Sequence, residues 1–139
     1  MTAIQAFEEL LRAKQIPLVK STENSNGTSY SGSFQASPEN EILFDIVFKE
    51  ATKQTDVTIT YHRLIACSNE DNRLQLVALI NQLNQEKTSY YRLVLTNEGE
   101  VSLLFEGRTG EEILPLYEIL LVGSSLLSDL MRELKFGLV

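Results

Sequence analysis

The chain has one cysteine, Cys67, and one histidine, His62. A single thiol excludes an intramolecular disulfide framework, and one Cys with one His cannot supply the common structural zinc sets. Basic residues are also few, twelve Lys and Arg against nineteen Asp and Glu, for a formal charge of −7. That balance argues against a nucleic-acid backbone or an anionic bilayer as the main partner. There is no tryptophan and there are only three prolines. The opening residues Met1 to Ile4 run straight to Glu8 and Glu9, without the basic region and apolar core of a secretory signal, which predicts a cytoplasmic protein in a reducing compartment. What is present is 43% hydrophobic and 22% charged over 139 residues, the composition of one soluble domain spanning residues 1–139.

Thr2 followed by Gln5 reads as a capping box, and Ile4, Phe7, Leu10 and Leu11 fall on one side of a first helix that must end before Pro17. Residues 16–29 read as a loop, or as one arm of a hairpin, because the stretch from Lys20 to Ser29 is polar and turn-forming. Within it Asn26, Gly27 and Thr28 match a glycosylation sequon but read as a bend. Three strands follow. Tyr30, Gly32, Phe34 and Ala36 alternate with polar residues; Ile42, Phe44, Ile46 and Phe48 share one face; Val57, Ile59 and Tyr61 share another. Ser68 or Asn69 is expected to cap a second helix through about Glu86, with Leu76, Leu79, Ile80 and Leu83 on its inner face. A hairpin runs from Tyr91 to Phe105 around Asn97, Glu98 and Gly99. Thr109 and Glu112 suggest a further capping box that opens a final helix to about Lys135. The expected fold is therefore α+β, in the order α-β-β-β-α-β-β-α, an antiparallel sheet packed against helices.

The final helix is unusually apolar. Glu118, Ser125, Asp129, Arg132 and Glu133 occupy one strip, and the leucines and isoleucines spread over an arc of roughly 220°, about twice what one sheet buries. Glu118, Asp129 and Pro115 argue against a membrane span over 113–131. The arc instead predicts a helix held between its own sheet and a second surface, with Leu116, Leu120, Leu127, Leu130 and Met131 as interface residues. Gly123, Ser124 and Ser125 would let a neighbouring backbone come close. The competing arrangement is cover from helix two or from residues 16–29 within the same chain.

The order of elements, the hairpin around Asn97, Glu98 and Gly99, and the long apolar closing helix resemble the YbjN-like family of bacterial proteins and, behind it, the fold of type III secretion chaperones. The resemblance covers Ala3 to Leu134, and the polar segment from Lys20 to Ser29 departs from both families. It implies a homodimer without catalytic activity that regulates or holds a partner polypeptide.

Catalytic and ligand motifs are weak. His62 stands in a strand between Tyr61 and Arg63, and Cys67 lies five residues on, an odd spacing that puts the two on opposite faces of a regular strand. Ser124 and Ser125 lack a nucleophile-elbow frame. Gly107, Arg108, Thr109 and Gly110 are followed by Glu111 and Glu112, which repel a phosphate. The carboxylate pairs Glu8/Glu9, Glu70/Asp71 and Glu111/Glu112 suit exposed first turns rather than metal. No catalytic, cofactor or metal residue is assigned. The alternative to a contact role is a small-ligand-binding domain or cryptic enzyme with a pocket near His62, Arg63, Arg92 and the sheet tyrosines Tyr30, Tyr61, Tyr90 and Tyr91.

Overall fold

The structure is a computed structural model that describes residues 1–24, 27–67 and 70–137, without the side chains of residues 22 and 24. Three helices cover one face of a six-stranded antiparallel sheet with strand order β1-β2-β3-β4-β6-β5. The α+β class and the order of helices match the expectation, with one strand more.

Helix α1 (Ala3–Ala13) starts at the expected capping box, where Gln5 N donates to Thr2 Oγ1 at 3.1 Å and Thr2 N donates to Gln5 Oε1 at 2.9 Å. It buries Ile4, Phe7 and Leu11, and the Phe7 ring meets Tyr30 and Phe48, each at 5.2 Å between centroids. The additional strand is β1 (Val19–Asn24), which pairs antiparallel with β2 (Gly27–Ser37), so that of the two readings of this segment the structure takes the hairpin and not the loop. An edge strand needs only backbone partners on one side, so it can be polar. Here Ser21 Oγ lies 2.8 Å from Ser29 Oγ and donates to Ser29 O. The bend expected at Asn26 lies outside the described residues, although Gly27 has φ 127°.

β3 (Asn40–Phe48) buries Ile42, Phe44, Ile46 and Phe48 as its alternation requires, and β4 (Thr55–Ala66) buries Val57, Ile59 and Tyr61. A turn of 3-10 helix (Glu70–Asn72) leads into α2 (Arg73–Glu86); the caps expected at Ser68 or Asn69 lie outside the described residues. β5 (Arg92–Leu95) and β6 (Glu100–Thr109) form the second hairpin, with Gly99 at φ 82° in the turn. β6 then pairs with β4, so β5 becomes an edge.

One correction concerns the last helix. Thr109 is a strand residue in register with Thr55, and α3 spans Leu114–Gly137, with Pro115 at its start. The Thr109/Glu112 capping box does not form, because β6 pairing extends through both Arg108 and Thr109. Proline in the first helical turn costs nothing, since its missing N–H would have no helical partner there.

The edge at β5 is closed by a side chain. Asn84 of α2 accepts from Leu93 N at 2.6 Å and donates to Leu93 O at 3.1 Å, supplying the pairing that a seventh strand would offer. Asn84→Ala is expected to lower stability by about 1–3 kcal/mol, the cost of two backbone groups losing their partners, and to raise light scattering on concentration. An unchanged denaturation midpoint would show that water replaces the amide without loss.

Candidate functional site

Two polar constellations are built by this fold, one on each face of the sheet. On the open face, outward residues of β2, β3 and β4 come into line because Ser31 is in register with Asp45, and Asp45 with Thr60. The Ser31 hydroxyl donates to Asp45 Oδ1 at 3.0 Å, and His62 Nε2 lies 2.7 Å from Asp45 Oδ2. This contains a serine, an aspartate and a histidine, but in the wrong order for nucleophilic catalysis. The carboxylate stands between the other two, so the base is not placed on the serine oxygen. Both His62 and Asp45 side chains are 40% exposed, where an ion pair contributes at most about 1 kcal/mol.

Cys67 follows β4, its N–H donating to Gly99 O at 2.7 Å, and its side chain packs on the core. It and His62 thus lie on opposite sides of the sheet, as the spacing indicated. The strand is nonetheless irregular: its register against β6 slips by two residues between Tyr61 and Ile65, Leu64 is buried three residues after Tyr61, and Arg63, at φ 58°, is paired with Glu100.

On the helix-covered face, Tyr61 donates to Leu120 O at 2.7 Å and lies 2.9 Å from Ser124 Oγ, and Tyr91 donates to Ile119 O at 2.7 Å. Both hydroxyls reach α3 where Gly123 leaves room. A Cβ on Gly123 would stand 2.5 Å from Tyr61 Cε2 and 2.5 Å from Tyr91 Oη. Burial pushes the Tyr61 phenol up to about 12, offset in part by its bonds to Ser124 and Tyr91, and pushes Tyr91 up as well. Ser124 is therefore an anchoring hydroxyl. Gly123 admits the sheet's own tyrosines, not a neighbouring backbone.

These positions correct two expectations. A pocket gathering His62 with the sheet tyrosines does not form, because Tyr30, Tyr61 and Tyr91 are buried under the helices while His62 is on the open face. Arg92 is held by Glu106, and Tyr90 is exposed. The expected interface residues Leu116, Leu120, Leu127, Leu130 and Met131 are each at most 6% exposed within the single chain. They lie in a sector of roughly 100° on α3, the width one sheet covers. Helix α2 covers a flank: Lys87 Nζ meets Glu133 Oε1 at 2.6 Å, and Gln75 donates to Gly137 O.

What the single chain leaves open on α3 is a different stripe. Leu114 and Leu121 are about half exposed and Tyr117 partly so, at positions i, i+7 and i+3. The apolar arc alone does not single out this stripe, because it does not say which part the sheet takes. The length and apolarity of Leu114–Gly137 would suffice to cross a membrane, yet its most apolar sector packs on the sheet.

Among the described residues, no cluster of three or more His, Cys, Asp or Glu side chains could hold a metal ion. Comparison with known protein families finds no family model that matches the chain, and no curated protein is significantly similar in sequence.

Proposed function

We propose that this protein is a non-catalytic protein-interaction module that acts as a homodimer and binds a partner polypeptide in the cytoplasm, in the manner implied by the resemblance to YbjN-like regulators and type III secretion chaperones. The observation that carries the reading is the outward stripe of α3, in which Leu114 (50% exposed) and Leu121 (49%) flank Tyr117. Each such leucine is already half covered, so burying the rest gains about 1 kcal/mol, and a two-fold contact doubles a gain that one subunit cannot make. The inverted Ser–Asp–His order on the open face supports a contact role over acyl transfer.

The test is Leu121→Glu. It is expected to shift the solution mass from that of two chains to that of one, with the melting temperature little changed, because the side chain it replaces is half exposed rather than in the core. An unchanged mass on intact folding would remove α3 from the interface.

A further inference from the structure

We infer that the distal edge of β2, with the cleft beside it, takes an extended segment of a partner polypeptide as an added strand, one carrying an apolar residue and a carboxylate two positions apart. The inference rests on the contact reading above and names where and what the module would bind. β1 is in register with β2 only as far as Ser31, so among the described residues no strand lies beside 32–37 on that side. Leu18 reaches Gly32 and shields the first of these positions, and Ser128 of α3 donates to Ala36 O at 2.7 Å, fixing the helix beside the strand. Between these two contacts, residues 33–35 have no strand partner on that side among the described residues, the arrangement to which an extended segment can add. By contrast, the β5 edge is occupied by Asn84.

Directly beside this edge lies a cleft of about 430 Å³ between the β2–β3 turn and the end of α3. Ala36, Met131 and the 73%-exposed Phe136 give it apolar walls, while Arg132 and Lys135 stand over it. Arg132 is shared with Asp129, but Lys135 has no carboxylate partner among the described residues. Two of the twelve cations of a chain with net charge −7 line this cleft; Glu39 stands on its wall and Asp129 takes Arg132, so Lys135 is the charge left to meet an acidic side chain. Side chains of an added strand alternate between faces, so the residues that reach this cleft are two apart: one apolar against Phe136, one acidic towards Lys135.

The experiment uses acetylated, amidated pentapeptides with Leu and Glu two residues apart among threonines, in both orders, titrated by fluorescence anisotropy. At least one order is expected to bind saturably, to weaken about tenfold in Lys135→Glu, and to lose binding when alternate amides are N-methylated. Replacing the peptide's Glu by Lys should reverse the preference of the variant. Failure of both orders to bind, or equal binding of the N-methylated peptides, overturns the proposal. So does a fall in solution mass in Lys135→Glu, which would make a second copy the occupant. The two readings fail separately: Leu121→Glu should leave peptide affinity unchanged, and a monomeric wild type that binds the peptide would overturn the α3 interface alone.

Discussion

Gly123→Ala is expected to destabilise the fold by about 2–4 kcal/mol, lowering the melting temperature by roughly 10 °C. The sign is opposite to that of the same change on an exposed helix, where alanine gains about 1 kcal/mol over glycine. Two rings decide it. A new methyl group would press on Tyr61 Cε2 and Tyr91 Oη at 2.5 Å, and neither ring can swing away freely. Tyr61 is fully buried, 5.2 Å from the Phe44 ring and 6.0 Å from that of Tyr91. Both hydroxyls also bond carbonyls of α3, at Leu120 and Ile119. Displacing them costs contacts and hydrogen bonds together, each bond contributing about 1 kcal/mol. Thermal unfolding followed by circular dichroism measures the loss; a melting temperature at or above that of the wild type would mean that α3 slides at no cost.

The second large effect is alkaline unfolding. Tyr61 is pushed up to about 12 by burial, Tyr91 rises by burial and by its neighbour Tyr61, and Tyr30 rises by burial and the nearby Glu8 carboxylate. In each case the folded state holds the proton more tightly than the unfolded chain, whose tyrosines titrate near 10. Between these values the unfolded state binds fewer protons, so stability falls as pH rises. The Tyr61 contribution is complete below pH 10 and is lost through about pH 12. For Tyr61 alone the displacement corresponds to about 2–3 kcal/mol, and the other two add with the same sign. Denaturant midpoints measured across this range should fall steeply, and Tyr61→Phe should flatten the slope by about one proton. Stability that stays level from pH 10 to 12 would contradict the buried tyrosine cluster.

How much of this was legible beforehand differs by element. The Thr2/Gln5 box and the alternation of Ile42, Phe44, Ile46 and Phe48 are local signals, and the structure uses both. Thr109 and Glu112 carry the same spacing as a capping box, yet pairing of Thr109 with Thr55 holds that residue in a strand, a long-range fact that no local pattern contains. The segment around Ser21 is too polar to show strand periodicity, because its stability comes from backbone and hydroxyl bonds to β2. On α3 the excess of apolar surface was visible, but its division was not. The sheet takes Leu116, Leu120 and Leu127, α2 takes a flank, and Leu114 and Leu121 are left outside. The pairing of Asp45 with His62 had a usable signal, both residues falling on outward positions of successive strands, but it required the register of β3 against β4.

The most direct test of the contact reading is sedimentation equilibrium of the wild-type protein from low to high micromolar concentration. The expected mass rises to that of two chains and stops there, as a closed two-fold contact requires. A mass that stays at that of a single chain throughout would contradict it.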